Sequence, residues 1–260
     1  MDHSTFGNLL DRHIRPQTFP VAVKMCKDAS EIPAKAKRPS RDLGFQAAIC
    51  QAISFARHYG WSFALEGDDL SCPLAKVVFG FAPLTDFYIE GHACAGLYTE
   101  SPAAGAATES QVAKFATNEY VALVAVPLAR ADFEPDVVIT YASPAQVMRL
   151  VTAALWKNGG RIQSSFSGRI DCSDGVIATM QTQECQVILP CYGDRIFAQA
   201  QDHEMAFSIP RAKIETVAEG LEGTHKGGVR YPIPSYLRYN AEFPPQYANV
   251  LKQMDDENDK

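Results

Sequence analysis

The chain has 260 residues, is 47% hydrophobic and 21% charged, and carries a formal charge of -6. That length suits one large domain or two small ones, and the composition is ordinary for a soluble globular protein. An acidic balance with no basic run argues against nucleic-acid binding through phosphate neutralisation, and no apolar run approaches the roughly 20 residues that span a bilayer.

Taken in order, Thr5–Arg15 places Phe6, Leu9, Leu10 and Ile14 at helical spacing. Phe19–Met25 reads as a strand. Ala29–Arg41, rich in Pro, Lys and Ser, reads as a surface loop. Phe45–Tyr59 is an Ala-rich helical run ended by Gly60, and Trp61–Leu65 a short strand. Ser71-Cys72-Pro73 starts a helix through Val77–Phe81, because proline favours the first helical position and leaves Cys72 at the N-cap. Gly91–Ala106 is loop-like, and Thr108–Thr117 is the next helical candidate.

Tyr120–Pro127 and Pro135–Tyr141 are apolar without alternation, the pattern of strands covered on both faces. They are expected to be neighbours at the centre of the sheet. Ser143-Pro144 opens a helix with an N-cap serine and an N1 proline, running to Lys157 and stopping before Gly159-Gly160. Ser173–Thr182 follows as a helix, Cys185–Leu189 and Met205–Ile209 as strands, and Pro210–Leu221 as another helix. The alternation predicts an α/β (α+β) fold with a mixed, largely central and buried β-sheet and packed helices. Residues 1–230 form the expected domain. Residues 231–260 form a proline-rich extension with a last short helix and an acidic tail.

The start, MDHSTFGNLLDRHIRP, has neither the basic nor the apolar region of a secretion signal. A cytoplasmic protein is expected, and seven cysteines in a reducing compartment point to metal ligation or catalysis rather than disulfides. Cys72, Cys172 and Cys191 lie in short polar turns at strand–helix junctions, where unpaired backbone N–H groups favour a thiolate. Cys26, Cys94 and Cys185 have structural readings: a strand end, a small-residue loop and an apolar strand. No GxGxxG, P-loop, GxSxG or HExxH motif occurs, and the six histidines form no ligand-like pair.

Pro20-Val21-Ala22-Val23-Lys24, Cys50-Gln51, Ser71-Cys72-Pro73, Phe133-Glu134-Pro135-Asp136-Val137-Val138, Cys172-Ser173-Asp174 and Cys191-Tyr192-Gly193-Asp194-Arg195 together form a pattern. It resembles the domain-of-unknown-function family numbered 169, uncharacterised archaeal and bacterial proteins, from about Leu9 to Leu221. The resemblance implies four family cysteines, here Cys50, Cys72, Cys172 and Cys191, and names no reaction.

Four dispersed thiolates suit an iron–sulfur cluster, [4Fe–4S], whose separate irons take ligands from several directions; a structural zinc is the alternative. Four ligands give an electron-transfer or sensing centre. Three, with Cys50 structural, leave an iron open as a Lewis acid toward a small anionic or sulfur-bearing substrate. In that version Arg195 is the candidate anion clamp and Asp174 or Tyr192 the candidate proton carrier. Two rival readings are a metal-free enzyme with Cys72 as nucleophile and a structural or assembly protein. A small-molecule substrate or a redox partner is the expected company; nucleic acid and membrane are not.

Overall fold

A computed structural model describes residues 1–237 and 240–258. Six strands are formed by β-branched, Ala- and Leu-rich runs: β1 (Val21–Cys26), β2 (Phe63–Leu65), β3 (Ala122–Pro127), β4 (Val137–Ala142), β5 (Gln186–Ile188) and β6 (Met205–Pro210). They build one sheet in the order β2-β3-β1-β4-β6-β5, with every pairing antiparallel. The α/β character and the buried central sheet follow the sequence reading; the sheet is antiparallel throughout rather than mixed. β3 and β4 are both interior, as their unbroken apolar runs require. They are not neighbours, however. β1 lies between them, pairing Ala22 with Val126 on one side and with Val138 on the other. β1 is as completely covered as its neighbours, apart from Lys24, so all three runs compete for the centre and apolarity alone does not order them.

The helices are α1 (His3–His13), α2 (Ile49–Tyr59), α3 (Pro73–Val78), α4 (Asp86–Ile89), α5 (Pro102–Gln111), α6 (Pro144–Leu155), α7 (Thr179–Thr182), α8 (Tyr192–Phe197), α9 (Ile214–Lys226) and α10 (Pro245–Asn258). α6 begins as read: Ser143 caps it, with its side chain accepting from the Gln146 N–H, and Pro144 follows. α5 was hidden because Pro102–Ala107 lacks an apolar period. Ser101 caps it through the Ala104 N–H, and Gly105 packs so closely on Gly91 that an added Cβ would stand 2.3 Å from its carbonyl oxygen.

Strand alternation divides the core. Ala22, Val138, Phe207 and Ile209 point to one face and pack with α1, α6 and α9. Val21, Val23, Ile139 and Tyr141 point to the other, where α2, α3 and the segment after Ile170 cover them. The segments bearing Cys50, Cys72, Cys172 and Cys191 are on this second face. Among the described residues no helix is long and apolar enough to cross a membrane. The extension after residue 230 leaves Leu237, Phe243, Tyr247, Leu251 and Met254 exposed.

A candidate cysteine cavity

Four helical segments start around one cavity of about 480 Å3, and each brings a cysteine at its first turn. Cys50 is the second residue of α2. Cys72 is the N-cap of α3, ahead of Pro73. Cys191 is the N-cap of α8. Cys172 precedes the helical segment Ser173–Ala178, which has π-helical hydrogen bonding and leads into α7. The sequence showed a helix there but not its π form, a feature frequent at functional sites. Just before it, Ile170 is held at φ 52°. A β-branched residue rarely adopts that conformation, which costs on the order of 1–3 kcal/mol. The strain turns Asp171 and Cys172 inward, onto β4.

The cavity has depth. Cys50 and Cys172 also line a void of about 10 Å3 against Ile139 and Tyr141, so they form its floor. The mouth is flanked by Tyr98, Tyr192 and Phe197, which are 40%, 62% and 60% exposed. The other three cysteines are elsewhere: Cys26 is buried among Ala64, Ala122 and Val124, Cys185 lies on the opposite face of the sheet, and Cys94 contacts Glu109. All seven are free thiols.

Beneath the floor is a buried polar chain that the sequence did not announce. Asp171 and Asp194 are 4% and 1% exposed and lie within interaction range of each other. Tyr141 donates from its hydroxyl to Asp194 at 2.6 Å. The Arg57 guanidinium stacks 3.9 Å from the Tyr141 ring and is paired at 2.9 Å and 3.2 Å with Glu204. Burial pushes both aspartates up from their ordinary value. Two carboxyls in one apolar site cannot both ionise cheaply, so each disfavours the charged form of the other. Sequence offered one clue, an acidic residue directly before Cys172.

Helix starts were expected to favour thiolates. At Cys172 and Cys191 the opposite holds: burial first, and then Asp171, push both thiols up, Cys191 to about 12. Burial also raises Cys50. Desolvation outweighs the few free N–H groups of such short helices, so these are neutral thiols that surrender protons only to a strong Lewis acid.

The proposed accessory residues separate. Tyr192 lines the mouth. Arg195 does not line the cavity: its Nη1 donates to the Gln201 carbonyl at 2.7 Å. Asp174 opens instead into a different cleft with Thr108, Gln111 and Ser165, where burial pushes it up to about 7. The cation lining the cysteine cavity is Arg169, held through Nη1 by Glu109.

Asp69 fixes the Cys72 side of the cavity. Fully buried, it accepts from Arg38 Nε at 2.6 Å, from the Glu66 N–H at 3.0 Å and from the Ser40 hydroxyl. Its own carbonyl accepts from the Ala47 N–H, and the Ala47 carbonyl accepts from the Ser71 N–H, so the lead-ins to Cys50 and Cys72 are tied together. Burial alone would raise this carboxyl; the bonds from Ser40, Glu66 and Arg38 prevail and hold it below its usual value. A depressed carboxylate contributes stability above its unfolded pKa of about 3.9 and loses it as pH falls through the folded value. Asp69→Ala should therefore cost about 3 kcal/mol at pH 7 in urea unfolding, with the gap to wild type narrowing below about pH 4.

The DUF169 family profile, described as uncharacterised ArCR, matches residues 9–220, a stretch containing all four cavity cysteines. The chain belongs to this family. It is also similar to an uncharacterised protein of Methanocaldococcus jannaschii, 29% identical over 204 residues, covering 78% of this chain and 86% of that one. No solved structure matches. The family's matched span stops within α9, leaving the extension and α10 outside it.

Proposed function

We propose that the protein holds an iron–sulfur cluster, [4Fe–4S], in the cysteine cavity, with Cys72, Cys172, Cys191 and Cys50 as ligands. The observation that carries this reading is convergence: the four cysteines come from distant parts of the chain and line one cavity, while the other three lie elsewhere in the fold. A sulfur-only donor set suits soft metal centres. Zinc fits less well. It needs its thiolates about 2.3 Å from a single ion and usually takes them from two close pairs on short knuckles, whereas these four are spread along the chain from Cys50 to Cys191. A cluster of separate irons takes a wider ring of sulfurs. No histidine lines the cavity to activate a metal-free cysteine nucleophile.

When bound, such a cluster supplies one-electron transfer or, at an iron without a protein ligand, Lewis acidity. The chain's own part is to bring four sulfurs together, to limit water with the aromatic mouth, and to place the Asp171 carboxyl, with Asp194 behind it, beside Cys191. Hydrogen bonds to ligating sulfur tune a cluster's potential. A cytoplasmic location and a redox partner or small substrate belong with this reading. Protein made with ample iron and purified without oxygen should be brown and contain about four irons per chain. Stoichiometric zinc with no iron in that material would sink the proposal.

A further inference from the structure

We infer that the cleft between α5 and the irregular run at residues 159–170 receives a small organic cation, a primary ammonium on an apolar body, with Asp174 as its counter-charge. The cleft has a volume of about 360 Å3 and shares no lining residue with the cysteine cavity. That volume is enough for a small molecule. Ala107, Thr108, Gln111 and Val112 line it from α5 and the residue after it, and Ser165, Phe166 and Ser167 line it from the irregular run. Asp174 completes the lining from the π-helical segment that follows Cys172.

The chemistry of this lining is one-sided. Asp174 is partly exposed, and among the described residues its carboxyl has neither a hydrogen bond nor an ion pair; the charge that acts on it is Asp171, another acid. No Lys, Arg or His lines the cleft. The Thr108 hydroxyl donates to the Ala104 carbonyl at 3.2 Å and the Ser167 hydroxyl to the Arg169 carbonyl at 3.1 Å, so both have only oxygen lone pairs left for a ligand. The Gln111 amide nitrogen is turned to the Ser110 hydroxyl, which leaves its carbonyl oxygen. A partly buried carboxylate without a partner is costly, and an ammonium answers it with one compensating charge and three N–H donors. Ala107, Val112 and the Phe166 ring, 51% exposed, give an apolar body a surface to cover. The ring face also attracts a cation. That apolar share separates an organic ammonium from a bare metal ion.

The test uses the full chain without added iron, so its outcome does not turn on the cluster. Benzylamine, an ammonium at pH 7, and its neutral isostere benzyl alcohol are titrated by calorimetry into wild type and Asp174→Asn. Asparagine keeps the shape of the side chain and removes its charge. Benzylamine is expected to bind wild type roughly tenfold or more tightly than benzyl alcohol, and Asp174→Asn to remove that preference while circular dichroism stays unchanged. Ala107→Lys, at an exposed position of the α5 wall, brings a cation to the cleft and should weaken benzylamine by a similar factor. Equal binding of benzylamine and benzyl alcohol by wild type overturns the inference, and this comparison does not depend on a variant folding. A preference for benzylamine that survives in folded Asp174→Asn overturns the role of Asp174. Wild-type affinity for benzylamine in Ala107→Lys overturns the cleft as the place where the ammonium binds.

Discussion

Replacing Cys72, Cys172 or Cys191 by serine should abolish iron binding, whereas Cys26→Ser, Cys94→Ser and Cys185→Ser should keep the full iron content of anaerobically prepared protein. Each of the first three removes a metal–sulfur bond from the cavity; each of the others alters only packing or a contact to Glu109. Cys50→Ser discriminates within the proposal. Cys50 lies on the floor with Cys172, and loss of iron there makes it a fourth ligand and the centre closed. Retained iron leaves one iron open and turns the function toward catalysis. Unchanged iron in both Cys172→Ser and Cys191→Ser would defeat the cluster assignment. Because Cys172 and Cys191 are protonated thiols without metal, iron uptake releases protons, and reconstitution should improve as pH rises from 6 toward 8.

Arg57→Ala should destabilise the fold by about 3–5 kcal/mol, the largest single-site stability effect we expect. Arg57 and Glu204 are 1% and 6% exposed, and removing the cation strands a buried carboxylate. It also withdraws the guanidinium from the Tyr141 ring, and so loosens the hydroxyl that serves Asp194. The double variant Arg57→Met/Glu204→Leu should lie much closer to wild type in urea unfolding, since apolar replacements leave no charge uncompensated. Burial would raise Glu204, but hydrogen bonds from Arg57 and the Gln201 N–H hold it below its ordinary value. The pair's contribution is therefore complete above pH 5 and lost as pH falls through the carboxylate range. If Arg57→Ala unfolds at the wild-type urea midpoint, the pair is not structural.

The same contrast runs through the whole molecule. The sequence by itself determined what depends on neighbours in the chain. Ser143-Pro144 set the start of α6 because a cap and an N1 proline act locally. The apolar runs in β3 and β4 set two interior strands, because a strand without polar alternation has no face for water. The polar turns around Cys72, Cys172 and Cys191 marked three of the cysteines that line the cavity, and the family pattern added Cys50.

Tertiary structure decided the rest. Sheet order was not legible, since β1, β3 and β4 are nearly equally apolar and only the assembled packing places β1 between the other two. The thiols' protonation is decided in the same way: a helix start favours an anion locally, but depth of burial is a property of the whole fold and outweighs it at Cys172 and Cys191. Arg195 and Arg169 differ least in sequence and most in place. One follows Cys191 by four residues and turns to the surface; the other precedes Cys172 by three and, past the strained Ile170, lines the cavity. Chain separation fixes how far apart two side chains can be, while the direction of a turn fixes which of them meet.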